Sequence, residues 1–228
     1  MKKLFVAVLA LAFVVSFSVA GMADGHLEDG EYVGYSDADS HGYVEAHVTI
    51  EDEAIANVEL MEYRDTGVLK DESYSYDEWF DAMDELPGRF VEANSADIDV
   101  FTGATGTSEK AMGAVEMALA KAEGQTEFDG TFLGVSEFSD RGGRGVAWVT
   151  VEDGEIVEAK LDELQDNEGE LVYKDESYSY DAYFDAKDAM PARFEEANSA
   201  DVDVYSGATG SSNMWSEAVA NALSKAGL

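Results

Sequence analysis

The chain has 228 residues, with 14 basic and 49 acidic side chains, no cysteine and a formal net charge of −35. This charge argues against nucleic-acid binding, which needs a basic face. The lack of cysteine excludes disulfides, thiolate iron–sulfur clusters and cysteine-linked haem. A hydrophobic share of 46% is enough for a packed core. The acidity therefore has two open interpretations: adaptation to high salt, or a docking field for cations or basic partners.

The N-terminus has the pattern of a secretory signal peptide. Two lysines are followed by an apolar run that ends near Phe17 and then by small residues. The run is shorter than the roughly 20 residues that a membrane-spanning helix needs. We expect residues 1–23 to be a signal peptide, cleaved after Ala20 or Ala23, with an uncleaved anchor as the alternative. The sequence thus predicts an exported protein, periplasmic or extracellular, either free or membrane-associated.

The chain contains an internal repeat. Asp29–Gly34 returns as Asp129–Gly134, and Lys70–Asp77 returns unchanged as Lys174–Asp181. A period of about 100 residues is the size of a small domain rather than of a solenoid unit. We therefore predict two tandem domains. Their expected boundaries are residues 24–126 and 127–228.

The first half of each repeat is predicted to form strands. Residues 43–50 alternate between apolar and polar side chains, which is typical of a half-buried antiparallel strand. In the second repeat, Asp153-Gly154 separates two such runs and predicts a hairpin. A short strand is expected before them, near Tyr32 and near Phe132.

The second half of each repeat is predicted to be helical. Ser75 is the expected N-cap of the first helix, and Glu78 completes a capping box. Pro87 and Pro191 lie at equivalent points and are expected to kink that helix or to start another. A last helix is predicted over about residues 109–121. The fold class is therefore α+β: two repeats, each a small antiparallel sheet with helices.

A hydroxyl-rich turn precedes the last helix of each repeat. Residues 97–108 read Asp-Ile-Asp-Val-Phe-Thr-Gly-Ala-Thr-Gly-Thr-Ser, and residues 201–212 read Asp-Val-Asp-Val-Tyr-Ser-Gly-Ala-Thr-Gly-Ser-Ser. The start of a helix offers free backbone N–H groups and the positive end of the helix dipole, which favour phosphate. The turn recurs although the flanking strands have diverged. We therefore favour a shared function over a merely capped turn.

Each position of the turn has a physical use. Glycine allows positive φ and close approach of a bulky group, and alanine adds little bulk. The threonine after them presents a hydroxyl to a phosphoryl-linked group. The next hydroxyl residue can cap the helix or bond a phosphate, and the leading aspartate can brace the loop or hold a metal on a modifying enzyme. The candidate cofactor-binding residues are Asp99, Thr102, Gly103, Ala104, Thr105 and Thr107, and in the second repeat Asp203, Ser206, Gly207, Ala208, Thr209 and Ser211.

These turns resemble the flavinylation motif of FMN-binding domains, Asp-x-x-[Ser/Thr]-Gly-Ala-Thr-x-[Ser/Thr]. Such domains occur in the sodium-pumping NADH:quinone reductase and in the Rnf complex. The tandem arrangement is similar to flavoproteins of extracellular electron transfer in Gram-positive bacteria. The resemblance implies that Thr105 and Thr209 each carry FMN through a phosphoester bond, installed by an exported, Mg-dependent FAD:protein FMN transferase. Both copies of the motif are intact, so two covalent FMN groups are expected.

The resemblance also implies a non-catalytic electron carrier between a membrane-side electron donor and an extracytoplasmic reductase or acceptor. A covalent bond suits an exported carrier, because it keeps the cofactor at high effective concentration. The flavin would supply the redox chemistry. Two other functions stay open at this point. One is a cofactor-free acidic module that binds cations or a basic partner, and the other is an accessory component of one reductase or redox pump.

Some further residues recur or carry useful chemistry. Arg89 and Arg193 match between the repeats and could pair with phosphate or carboxylate; we expect buried pairing with the repeated acidic residues. The segment Lys70–Glu72 is predicted to be a solvated turn, and the three histidines are expected at the surface. Four recurring tyrosines are candidates for stacking on an isoalloxazine ring or for core packing: Tyr74, Tyr76, Tyr178 and Tyr180.

Overall fold

The computed structural model describes residues 26–167 and 169–228, and the predicted signal peptide lies outside them. Each repeat forms an antiparallel sheet followed by two helices, which confirms the predicted α+β class. Within the described residues, no helix combines the length and apolarity needed to cross a bilayer. In chain order the elements are β1 (Gly30–Tyr35), β2 (Tyr43–Glu51), β3 (Ala54–Tyr63), α1 (Asp77–Ala93), α2 (Thr105–Ala122), β4 (Gly130–Val135), β5 (Arg144–Glu152), β6 (Glu155–Asn167), β7 (Glu170–Tyr173), α3 (Asp181–Ala197) and α4 (Thr209–Ala226).

The sheets have the strand orders β1-β2-β3 and β4-β5-β6-β7. Val44, Ala46 and Val48 of β2 are buried, as the alternating pattern predicts, and they pack with α1 and α2. The hairpin around Asp153 is also present, between β5 and β6. The second sheet has a fourth strand, β7, that the sequence pattern did not indicate.

The start of α1 differs from the prediction. The N-cap residue is Tyr76, in extended conformation, with no side-chain cap bond, so Ser75 and Glu78 do not form a capping box. The hydroxyl of Tyr76 donates to the carbonyl oxygen of Gly103 at 2.6 Å. This contact with the turn before α2 fixes where α1 begins, and a capping pattern in the sequence cannot report it.

The prolines do not divide the helices. α1 continues through Pro87 and α3 through Pro191. A proline inside a helix removes one hydrogen bond and clashes with the preceding turn. In α1 the residues on either side of this defect, Leu86 and Phe90, are fully buried, so packing holds both halves in one helix.

α2 begins at Thr105, four residues before the predicted start, and crosses β1 closely. The crossing point on β1 is Gly34. An ideal Cβ there would overlap the carbonyl oxygen of Ala114 and lie 2.6 Å from the amide nitrogen of Ala118. The same close approach recurs between Gly134 of β4 and α4. Glycine therefore sets the distance between the first strand and the last helix of each repeat.

The two repeats are packed against each other. The amide of Ala38 donates to the carbonyl oxygen of Thr131 at 2.7 Å, and the amide of Thr131 donates to Asp37 Oδ1 at 2.8 Å. Tyr43 of the first repeat lies in one apolar cluster with Leu133 of the second. The loop that follows β1 is therefore bonded to the start of β4.

Two lysines cover the outer edges of β1 and β4. Lys121 Nζ donates to the carbonyl oxygen of Val33 at 2.7 Å. Lys225 Nζ donates to the carbonyl oxygen of Leu133 at 2.6 Å and to the Tyr43 hydroxyl at 2.8 Å. Burial lowers the pKa of Lys225 to about 8. Both ammonium groups satisfy edge-strand carbonyls that would otherwise be open to another strand.

The buried tyrosines predict a loss of stability at high pH. Burial, followed by the charge of Glu45, raises the pKa of Tyr35 to about 12, and burial raises the pKa values of Tyr43 and Tyr183 as well. Unfolded tyrosines ionise near pH 10, so this contribution is complete below that pH and is lost as the pH rises toward 12. We expect the thermal unfolding midpoint to fall across this range, and less steeply in Tyr43→Phe. A midpoint that stays constant across the range would contradict the prediction.

Candidate functional site

The turn of the first repeat places a threonine hydroxyl in solvent at the start of a helix. Gly103 has φ +94°, and Ala104 is the N-cap residue without a side-chain cap bond. α2 then begins at Thr105, which is exposed. The first N–H groups of a helix have no partner within it, so they are available to a phosphate on this hydroxyl.

The turn of the second repeat has the same geometry. Gly207 has φ +93°, Ala208 is the N-cap residue, and α4 begins at the exposed Thr209. The Tyr180 hydroxyl donates to the carbonyl oxygen of Gly207 at 2.6 Å, as Tyr76 does to Gly103. The Gly-Ala-Thr positions predicted from sequence therefore occupy matching places in the two repeats.

A buried serine braces each turn. Ser108 Oγ donates to the carbonyl oxygen of Ala104 and accepts the amide of Phe101, both at 2.9 Å. Ser212 makes the equivalent contacts with Ala208 and Tyr205. Neither serine was among the predicted cofactor-binding residues, although its recurrence one residue after Thr107 and Ser211 was the available signal.

The leading aspartates contact the arginines through their backbone. Arg89 donates to the carbonyl oxygen of Asp99 at 2.8 Å, and Arg193 makes the same contact with Asp203. Both aspartate side chains are exposed. Arg89 also pairs with Glu85, but this glutamate is 56% exposed and the second repeat has Ala189 in its place. The predicted buried pairing with repeated acidic side chains is therefore wrong. The arginines thus hold the loop through the backbone carbonyl oxygens of the two aspartates, whereas the prediction concerned the aspartate carboxylates.

A cleft of about 510 Å³ contains the first turn. This volume is within the range of small-molecule and cofactor sites. α2 contributes Gly106 and Lys110, α1 contributes Trp79, and the loop after β1 contributes Asp37 and Asp39. Thr105 therefore borders a cavity with aromatic and charged walls. The cleft is also lined by residues of the turn and of the neighbouring elements: Ser36, His41, Glu62, Lys70, Tyr74, Tyr76, Gly103, Ala104, Thr105, Thr107, Glu109 and Gly113.

A buried ion pair forms the floor of this site. Lys70 Nζ lies 2.5 Å from Glu62 Oε1, and their side chains are only 7% and 3% exposed. Trp79 Nε1 and Thr107 Oγ1 donate to the other carboxylate oxygen, at 2.7 and 2.9 Å. Of the predicted solvated turn, Asp71 and Glu72 are exposed but Lys70 is buried. Of the two roles considered for Thr107, helix capping is wrong, and contact with phosphate stays a prediction. The Lys70 amide donates to the Glu62 carbonyl oxygen, which turns the lysine inward.

The second repeat has a related buried pair. Lys174 Nζ contacts Glu163 Oε1, and Ser211 Oγ donates to Glu163 Oε2 at 2.7 Å. Tyr183 replaces the tryptophan, and its hydroxyl donates to Asp162 at 3.3 Å instead. Ser211, like Thr107, is therefore bound to a buried carboxylate and does not cap its helix. Lys70 recurs within an identical segment and Glu62 recurs as Glu163, and this recurrence was the sequence signal for them.

The recurring tyrosines have two distinct positions. Tyr74 packs edge-on against Trp79, with ring centroids 5.3 Å apart, and Lys70 Nζ lies 4.6 Å from its ring centroid. Tyr178 packs in the same way against Tyr183. The other pair, Tyr76 and Tyr180, is exposed and bonded to the turns. Tyr74 and Tyr76 line the first cleft, where an aromatic cofactor would meet them.

The residues present fit a phosphate-linked aromatic cofactor better than a metal. The described residues contain no group of three or more His, Cys, Asp or Glu side chains placed to hold a metal ion. The turns instead combine an exposed hydroxyl, helix N–H groups and, in the first repeat, an aromatic cleft. Together with the sheet-and-helix repeats, this arrangement defines a tandem α+β cofactor-binding protein.

The sequence profile of the FMN-binding domain family matches residues 40–120 and 142–224. The chain therefore belongs to the FMN-binding domain family, and its membership supports a flavin-binding role in electron transfer. The crystal structure of the CPE2226 protein from Clostridium perfringens is similar, with 25% sequence identity and a TM-score of 0.37. The match covers 44% of this chain and 88% of that one. No curated protein matches the chain significantly.

Proposed function

We propose that this chain is an exported electron carrier with FMN bonded covalently to Thr105 and Thr209. The observation that carries the proposal is the matched pair of exposed threonine hydroxyls, each at the first residue of a helix and behind an identical Gly-Ala turn. Family membership supports FMN as the cofactor. The matching geometry of the two turns supports attachment at both.

The attachment reaction uses a FAD:protein FMN transferase as partner. The threonine oxygen bonds to the phosphorus of the FMN half of FAD, the bond to the AMP phosphate breaks, and AMP and the hydroxyl proton leave. The free N–H groups at the helix start would bind the oxygens of the resulting phosphodiester. Ala104 and Ala208 are buried beneath the turn and leave the hydroxyl accessible.

The surrounding residues would orient the flavin and exclude water from it. In the first repeat the aromatic wall of Tyr74 and Trp79 offers stacking surface. The buried Lys70–Glu62 pair holds Thr107 through a hydrogen bond and thus keeps the first turn of α2 in place. The cofactor supplies reversible electron transfer when bound, and the protein supplies its position and local charge.

The signal-peptide pattern supports a place outside the cytoplasm, and covalent attachment supports a carrier that keeps its cofactor there. We infer that the chain accepts electrons from a membrane-side donor and passes them to an extracytoplasmic reductase or acceptor. Two flavins in one chain would act as a relay. The carrier itself has no catalytic residues in this proposal.

The test is the intact mass of the chain after coexpression with an FMN transferase. We expect two FMN-sized increments in the wild type, one in each of Thr105→Ala and Thr209→Ala, and none in the double variant. Thr49→Ala, a strand threonine outside both turns, is the control and keeps two. An unmodified wild-type chain, or increments that survive in the double variant, would overturn the proposal.

A further inference from the structure

The wall of the first cleft is anchored to the second repeat. Asp37 and Asp39 line that cleft, and both belong to the loop after β1. Asp37 Oδ1 accepts the amide of Thr131 at 2.8 Å, and the next amide, of Ala38, donates to the Thr131 carbonyl oxygen at 2.7 Å. One residue of β4 thus forms two hydrogen bonds with this loop.

The same loop holds a lysine of the first cleft. Asp39 Oδ1 lies 2.6 Å from Lys110 Nζ, and the two side chains are 54% and 12% exposed. Burial is the largest single influence and raises the pKa of Asp39, but the hydrogen bonds from Lys110 and from the His41 amide, together with the charges of these two residues, lower it overall. Lys110 follows Thr105 on α2 and lines the cleft with it. A continuous set of contacts therefore runs from β4 to a cationic side chain that shares the cleft with Thr105.

The second turn has no equivalent of this arrangement in the sequence. Met214 occupies the position of Lys110 in α4. The matching loop is bonded within its own repeat, where the Ser139 amide donates to the Gly143 carbonyl oxygen at 2.7 Å and Arg144 Nε donates to the Ser136 carbonyl oxygen at 3.0 Å. The contact between this loop and the other repeat is therefore found at the first turn and is not repeated at the loop after β4.

We propose that the second repeat is a structural part of the first flavin site, because Thr131 positions the Asp37–Asp39 loop and this loop positions Lys110 in the cleft of Thr105. This inference rests on the proposed function. Asp37 and Thr131 are positioning residues: they act through Lys110 on the phosphate that Thr105 receives. The corresponding loop of the second repeat, after β4, is bonded within its own repeat.

The contact between Asp37 and Thr131 can be tested by a substitution at Gly130 in the second repeat. Its φ is +142°, and an ideal Cβ there would lie 2.5 Å from Asp37 Oδ1. Gly130→Ala therefore displaces the Asp37 carboxylate from the far side of the junction, whereas Asp37→Ala removes it from the near side. Gly30→Ala is the control at the equivalent position, where the atoms nearest to a new Cβ belong to the Tyr32 side chain. Gly30 does not have a positive φ, so Asp37→Ala is the variant that breaks the contact without backbone strain at Gly130.

The experiment measures the rate of FMN transfer to each threonine of the full chain by peptide mass. Displacement of a positioning group by about 1 Å can slow a reaction by up to about 100-fold. We expect Gly130→Ala and Asp37→Ala to slow transfer to Thr105 about tenfold, with transfer to Thr209 unchanged in the same molecules. Asp37→Asn keeps an acceptor for the Thr131 amide and is expected to restore the rate.

The outcomes separate this inference from the proposed function. A wild-type chain that gains no flavin overturns both. A wild-type chain loaded at both threonines, with variants that load Thr105 at the wild-type rate, overturns the inference alone. Equal slowing at both threonines also overturns it, because that result indicates a general loss of structure. Slow transfer of FMN to Thr105 in Asp37→Asn would show an effect of charge and not of anchoring, and it would contradict the inference too.

Discussion

Lys70→Met is expected to lower the free energy of unfolding by about 3–5 kcal/mol. The substitution keeps the length of the side chain but leaves the Glu62 carboxylate buried without its cation. Trp79 and Thr107 would still donate to one oxygen, and the other oxygen would lose its partner at 2.5 Å. Removing one member of a buried pair costs more than the pair contributes, because the remaining charge is not compensated. Urea unfolding gives the free energy directly.

The controls for this prediction come from the same chain. Lys160 pairs with Glu158 at 3.2 Å, but these side chains are 68% and 54% exposed. Lys160→Met is therefore expected to cost less than about 1 kcal/mol. The double variant Glu62→Gln/Lys70→Met removes both charges and should recover much of the loss. If Lys70→Met costs no more than Lys160→Met, the pair is not the buried element that the structure describes.

Gly34→Ala is expected to destabilise the chain by about 3 kcal/mol or more. The new methyl group meets the backbone of α2 at Ala114 and Ala118, which cannot rotate away as a side chain can. α2 must shift, and Thr105 at its first residue shifts with it. We therefore expect slower transfer of FMN to Thr105 as well as a lower unfolding midpoint. Chemical unfolding and peptide mass measure the two effects.

Gly88→Ala provides the contrast. Gly88 lies inside α1, and a Cβ there would meet nothing within 4 Å. The second repeat already has alanine at the matching position, Ala192. Alanine is favoured over glycine in a helix by about 1 kcal/mol, so this variant is expected to be more stable than the wild type. Similar effects of Gly34→Ala and Gly88→Ala would contradict the close approach of β1 and α2.

Much of the fold follows from local patterns in the sequence. The alternation in residues 43–50 predicts β2 and its buried face, and the glycine-containing turns predict the breaks before α2 and α4. These features depend on residues close together in the sequence, so the local sequence pattern predicts them. The first residue of α1 does not follow from such a pattern, because the hydroxyl of Tyr76 bonds to a carbonyl 27 residues away.

The floor of the site was not predicted for a related reason. The segment from Lys70 to Ser73 is polar and has the composition of a surface turn. Its lysine is buried because its amide bonds to the end of β3, where Glu62 faces inward. Hydropathy assigns a charged residue to solvent and gives no weight to a partner in another element. Comparison of the two repeats would have indicated the pair, since both charges recur.

The junction between the repeats was beyond sequence reasoning as well. The repeat pattern predicts two similar domains, but it does not predict that Asp37 and Thr131 bond to each other. Positions 37 and 131 belong to different repeats, and the loop that contains Asp37 differs in length from its counterpart in the second repeat. The asymmetry of the two sites therefore comes from the packing of the repeats together with the replacement of Lys110 by Met214, while their similarity comes from the duplicated sequence.

Lys121 and Lys225 affect whether copies of this protein associate through the edges of their sheets. Each lysine donates a hydrogen bond to a carbonyl oxygen in the middle of an edge strand, that of Val33 or that of Leu133. A neighbouring molecule that paired with β1 would have to displace a charged side chain first, and at β4 it would also meet the loop after β1, which is bonded to Thr131. We expect the chain to stay dispersed when it is abundant, even in concentrated salt that screens repulsion between its acidic surfaces.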